Sequence, residues 1–153
     1  MYFWAMAKLL LSLGSNLPDR RENLRRATAA LTEQLGPISY RSPIVPTPAW
    51  GKTDQPDFLN VVLVIRTPPS KLSVAQQLHH LLDTTQAIEH ALHRERNVHW
   101  GPRTIDIDLI FLDDLRYEDA RISLPHPWWR QRPFVTDLLP PDYHLDFGIF
   151  DAA

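Results

Sequence analysis

Apolar and polar positions along the chain fall into two periods. The apolar run over residues 7–13 and the β-branched and aromatic stretches at 38–45, 58–65 and from Thr104 to Phe111 read as strands. Of these, 58–65 is apolar almost throughout, which predicts a central place in a sheet. Between them the spacing turns helical. Leu24, Ala27, Leu31 and Leu35 recur on one stripe over 20–35, with Arg20, Arg21, Arg25 and Arg26 off it, and Gly36 and Pro37 mark the stop. Leu78, Leu81, Leu82, Thr85, Ile88 and Leu92 form a second stripe. Ser70 or Ser73 can cap that helix, the latter with Gln76 in capping-box position. A small hairpin is expected from 115–117 and 121–124. The order strand, helix, strand, strand, helix, strand predicts an α+β fold, a ferredoxin-like split βαβ core in which helices pack on one face of an antiparallel sheet. No repeat or interdomain linker interrupts it, so residues 1–153 are expected to form a single domain.

Alternation in the stretch beginning at Thr104 carries the candidate chemistry. Successive strand side chains point to opposite faces, so Asp106 and Asp108 share one face while Ile105, Ile107 and Leu109 share the other. Adjacent carboxylates repel unless a cation lies between them. Oxygen ligands at this spacing suit Mg²⁺, which takes one or two carboxylates and completes its shell with water and phosphate oxygens. An Asp-any-Asp pair is also common on a solvated strand edge, so the pattern needs company. That company is three arginines, Arg94, Arg96 and Arg103, ahead of the pair. Gln86 and Glu89 fall three apart on one helix face, and Pro46 to Gly51 form a loop that carries Trp50. Glu89, His90 and His93 do not have the order of a zinc-protease motif, and with His79 and His80 they read as helix surface.

Composition narrows the partners. Sixteen basic and eighteen acidic residues among 153 give a net charge of −2, so no global field draws in nucleic acid and any anion site must be local. The chain has no cysteine, in keeping with a reducing, cytoplasmic setting. Lys8 interrupts the N-terminal apolar stretch, which argues against a signal peptide, and no apolar run has membrane-spanning length. Fourteen prolines against five glycines predict fixed loops.

The motifs LSLGSNL at 11–17, QPDFLN at 55–60, QAIE at 86–89, WGPRTIDIDLI at 100–110, RISLPH at 121–126 and RPF at 132–134 stand in one order. In that order the chain resembles the 6-hydroxymethyl-7,8-dihydropterin pyrophosphokinase family of folate biosynthesis, which moves a pyrophosphoryl group from ATP to a pterin. The resemblance implies that Asp106 and Asp108 hold two Mg²⁺ ions and act in catalysis with Arg94 and Arg103. It assigns Gln86, Glu89, Arg94, Arg96, Trp100, Arg103, Leu109, Arg121, Ser123, His126 and Arg132 to ATP. Thr47, Pro48, Trp50, Phe58, Asn60, Asp106 and Phe134 fall to the pterin, with Phe58 and Phe134 as the stacking pair. Such a transfer proceeds in line, the pterin hydroxymethyl oxygen attacking the β-phosphorus while AMP leaves, without a covalent enzyme intermediate. Monomeric action on small molecules is implied, with neither nucleic acid nor membrane as partner.

The chain departs from the family pattern in three places. Pro127 stands where a Tyr is usual, the helix before Gln86 is longer, and the tail after Phe134 is compressed. These departures keep open a paralogue that binds pterin or nucleotide with altered or lost activity. Arginines beside Trp and Phe also fit a nucleic-acid module, against which the net acidity and the carboxylate pair weigh.

Overall fold

The run at 58–65, apolar but for Asn60, becomes a central strand. The computed structural model describes residues 5–48, 56–93 and 104–150. In it β1 (Ala7–Ser15), α1 (Arg20–Leu35), β2 (Ile38–Arg41), β3 (Val45–Thr47), β4 (Phe58–Thr67), α2 (Val74–His93) and β5 (Asp106–Leu112) build the main sheet and its helices. β6 (Tyr117–Glu118) and β7 (Ser123–Leu124) form the small hairpin, and the short helices α3 (Pro133–Thr136) and α4 (Tyr143–Asp146) follow a 3₁₀ turn at Trp129–Gln131. The strand order is β2, β4, β1, β5, with every pairing antiparallel. β4 therefore lies between the parallel strands β1 and β2 that α1 connects, and β1 lies between β4 and β5, which α2 connects.

The stretch 38–45, expected as one strand, is divided. β2 and β3 each pair with β4, and between them Pro43 has no N–H to give the ladder. Ser42 maintains the connection by other means, its N–H donating to the Val62 carbonyl at 2.9 Å and its hydroxyl accepting the Val62 N–H at 2.8 Å. Ser73 and Gln76 form the expected capping box at the start of α2. Each side chain accepts the other's backbone N–H, at 3.2 and 3.0 Å.

The two faces of the sheet are covered differently. Leu9, Leu11, Leu13, Leu63 and Ile65 meet the predicted stripes of both helices, joined by Ile105, Ile107 and Leu109 from the Asp segment. Each fully buried leucine there contributes about 1.5–3 kcal/mol. The opposite face, through Leu10, Val62, Val64, Ile110 and Phe111, is covered by Trp129, Val135, Leu138, Phe147 and Ile149. The compressed tail thus still makes a second layer. Phe111 anchors it, with ring centroids 5.0 Å from Trp129 and 5.2 Å from Phe147.

A β-bulge against β1 shifts the register of β5, so Leu10 faces Phe111 while Leu11 faces Leu109. The simple alternation expected up to Phe111 fails at that point. Ile110 and Phe111 both enter the second layer, whereas Asp106 and Asp108 keep the alternation. Where the apolar positions of this face end, Ser12, Gly14, Asn60, Asp106 and Asp108 continue it as polar or backbone surface, and the cover leaves a cleft over them.

Candidate active site

Register brings the cleft together. Asp106 stands opposite Gly14 and Asp108 opposite Ser12 on β1, while Gly14 on its other side faces Asn60 of β4. The resulting cleft of about 470 Å³ is walled by Thr47 and Pro48 at the end of β3, by Phe58 of β4, and by Trp128, Gln131, Arg132 and Phe134 from the C-terminal layer. Asn60 is buried and donates through Nδ2 to the Thr47 hydroxyl at 2.5 Å, which orients its amide. A Cβ on Gly14 would lie 2.9 Å from Asn60 Oδ1 and 3.4 Å from the Phe58 ring. Glycine is needed here because the amide oxygen lies directly over the backbone.

The carboxylates are supported from α2. Ile107, between them, sits on an edge strand, and its N–H donates to Glu89 Oε2 at 2.9 Å. On the cleft side, Asp108 Oδ2 accepts a hydrogen bond from Arg132 Nη1 at 3.1 Å. The Arg132 guanidinium also lies 5.7 Å from the Phe134 ring centroid, so it reaches both Asp108 and the aromatic wall. The donor set fits Mg²⁺. Two half-buried carboxylates on one face, one already drawing in a cation, leave positions for water and phosphate oxygens, and no third His, Asp or Glu among the described residues closes the site.

Asp108 also borders a second cleft, of about 310 Å³, with Leu82, Leu109, Arg121, Ser123, His126 and Pro127. His126 Nδ1 accepts the Trp128 N–H at 3.1 Å, so in the neutral ring the proton is on Nε2. Burial pushes the His126 pKa below its ordinary 6.5, nearby Arg132 lowers it further, and Asp108 opposes the shift. Arg121 Nη2 is held by Asp83 Oδ1 at 2.7 Å.

Of the residues singled out in the sequence, Thr47, Pro48, Phe58, Asn60, Asp106 and Phe134 meet in the larger cleft, and Leu109, Arg121, Ser123 and His126 in the smaller. Arg132, grouped with nucleotide contacts, lines the larger cleft instead. The Glu89 carboxylate reaches the Asp strand at the Ile107 backbone N–H, while Gln86 is an exposed position on α2. His79, read as plain helix surface, is half-buried and pairs with Asp119 at 2.6 Å. Trp50, Arg94, Arg96, Trp100 and Arg103 lie outside the described residues. Sequence reasoning missed Ser12, Gly14, Trp128 and Gln131 as parts of the cleft. The first two fall on alternate positions of β1 and so had a periodic signal, but only the pairing register shows what they face.

Residues 10–140 match the model of the 7,8-dihydro-6-hydroxymethylpterin-pyrophosphokinase family. The chain is similar to a 2-amino-4-hydroxy-6-hydroxymethyldihydropteridine pyrophosphokinase of Methylorubrum extorquens, 39% identical over 85% of this chain and 78% of the relative. It is likewise similar to proteins of the same name from Bacillus subtilis, 36% identical over 82% of this chain and 71% of that one, and from Pseudomonas aeruginosa, 34% identical over 92% and 85%.

Proposed function

Because the chain belongs to the 7,8-dihydro-6-hydroxymethylpterin-pyrophosphokinase family, we propose that its adjoining clefts divide that reaction between them, pterin in the larger and nucleotide in the smaller. The enzyme transfers the pyrophosphoryl group of ATP to hydroxymethyldihydropterin in folate biosynthesis, with ATP as co-substrate and Mg²⁺ as the metal. The observation that supports the division is that Asp108 borders both clefts, as a carboxylate standing where the two substrates meet would.

In the larger cleft Phe58 and Phe134 supply aromatic surface for a flat heterocycle, and Asn60, oriented by Thr47, offers Oδ1 to the N–H groups along the pterin edge. Pro48 lines the same cleft, and Trp50 is assigned to the pterin on the strength of the family resemblance. In the smaller cleft, Leu109 contributes apolar surface, while Arg121, Ser123 and the Nε2–H of His126 are donors suited to ribose and phosphate oxygens. Arg132 stands beside the carboxylates, where its fork is available to the transferred phosphate. Arg94, Arg96, Trp100 and Arg103 are assigned to the nucleotide on the strength of the WGPRTIDIDLI block and the segment before it. Glu89 holds the strand between the aspartates, and Gln86 one helical turn before it belongs to the same nucleotide-facing side.

Asp106 and Asp108 would hold the metal, two ions in this proposal, which supplies charge neutralisation on the phosphates. The residues themselves position. The pterin hydroxymethyl oxygen attacks the β-phosphorus, an O–P bond forms as the hydroxyl proton is lost to water, the bond to the α-phosphate oxygen breaks, and AMP departs. We take the protein to act as a single-domain cytoplasmic monomer, consistent with its lack of cysteine. Among the described residues no helix is long and apolar enough to cross a membrane.

Product analysis with ATP, Mg²⁺ and hydroxymethyldihydropterin, run beside separate titrations of Phe58→Ala and Arg121→Gln, tests the division. AMP as product, with pterin binding weakened only in the first variant and nucleotide binding only in the second, is expected. ADP as product, or each variant weakening both ligands equally, overturns it.

A further inference from the structure

Asp119 lies in the turn between β6 and β7, and none of the motifs that carry the proposed function's site residues includes it. Its Oδ1 accepts the N–H groups of Arg121 and Ile122 at 2.8 and 3.0 Å, while its own N–H donates to the Ile122 carbonyl at 3.0 Å. By itself this is an ordinary aspartate-stabilised turn. The other oxygen reaches further. Oδ2 accepts the Tyr117 hydroxyl at 2.8 Å and meets His79 Nε2 of α2 at 2.6 Å. One helical turn beyond His79, Asp83 takes the Arg121 guanidinium at 2.7 Å. Both ends of the turn are therefore tied to one face of α2. Beside those ties lies a wall of the smaller cleft, to which the hairpin gives Asp119 itself, Arg121 and Ser123 and the helix gives Leu82.

We infer that Asp119 is a positioning residue for nucleotide binding, fixing the β6–β7 turn against α2 so that Arg121 and Ser123 are presented to the smaller cleft. The inference rests on the reading of that cleft as the nucleotide site. Holding the hairpin in the fold does not require Asp119, because Ile122 and Leu124 are themselves buried in the helix-side core. What Asp119 adds is direction. A turn anchored through one carboxylate on two backbone N–H groups, a phenol and an imidazole has few orientations left, so Arg121 meets a phosphate already ordered.

Asp119→Asn retains one acceptor oxygen for the turn but turns an amide donor toward Tyr117 and His79. With intact protein and a non-hydrolysable ATP analogue, calorimetry should show nucleotide affinity falling about fivefold to tenfold. KM for ATP should rise in step, while kcat at saturating ATP and the pterin Kd stay within about twofold. In an Arg121→Gln background the same substitution should add little, because its effect runs through Arg121. If Asp119→Asn does not fold, Tyr117→Phe removes one donor to the same oxygen and should weaken nucleotide binding in the same direction. Unchanged nucleotide affinity in the folded variants, equal loss for pterin, or full additivity with Arg121→Gln overturns the role of Asp119 alone. A wild-type protein that binds pterin but no nucleotide, or an Arg121→Gln variant with undiminished nucleotide affinity, removes the reading of the cleft and the inference with it.

Discussion

Glu89→Ala tests whether the carboxylate pair is held from behind. The substitution removes the acceptor of the Ile107 N–H, a group midway between Asp106 and Asp108 on an edge strand, in a residue only 5% exposed. An unsatisfied buried donor costs about 1–3 kcal/mol. For a domain of this size ~1 kcal/mol moves the melting temperature by about 2–4 °C, so a fall of roughly 5 °C is expected. Activity should suffer more than stability, because the freed strand edge lets the aspartates drift, and a displacement of about 1 Å costs ~100-fold in a positioned reaction. Glu89→Gln keeps an acceptor oxygen and should recover most of both losses. Thermal unfolding and steady-state turnover on the three proteins give the comparison. If Gln is as damaging as Ala, the negative charge and not the backbone contact is what matters; if Ala melts and turns over like wild type, the support argument is wrong.

Removing either carboxylate, by Asp106→Ala or Asp108→Ala, should cost about a thousandfold in turnover at ~1.4 kcal/mol per decade while leaving the fold intact, checked by product formation and circular dichroism. Phe134→Ala should weaken pterin binding with much less effect on ATP; equal losses would mark Phe134 as a packing residue only. Phe147→Ala, at a fully buried position of the C-terminal layer, should destabilise by about 3–5 kcal/mol in denaturant titration, and a loss under ~1 kcal/mol would show that the layer is dispensable. Pro127 is exposed on the rim of the smaller cleft, so Pro127→Tyr should tighten nucleotide binding up to about tenfold through a new hydroxyl contact, and unchanged or weaker binding would mean that the loop is built around the proline.

Much of this architecture is local and was therefore legible in the chain. Helix stripes, the capping box at Ser73 and Gln76, and the shared face of Asp106 and Asp108 depend on residues a few positions apart, whose relative directions the backbone period dictates. The motif order likewise marked both clefts, because Phe58, Asn60, His126 and Phe134 belong to short recognisable blocks.

Other features were decided only by the folded arrangement. Nothing within 38–45 states that Ser42 will take over the ladder beside Pro43, since the Val62 groups it bonds lie on another strand. The compression of the tail says nothing of what it covers, yet Phe147 and Ile149 complete the second layer against Phe111, which a bulge in the pairing with β1 brings to that face. Ser12 and Gly14 become cleft floor through register, Glu89 finds Ile107 across the gap from helix to strand, and Arg132 finds Asp108 across the sheet face. Period is a property of a few neighbouring bonds, so it can be read from the chain. Register and partnership compare whole alternative packings, and the selected one is that which buries the apolar faces while leaving the fewest polar groups unpaired.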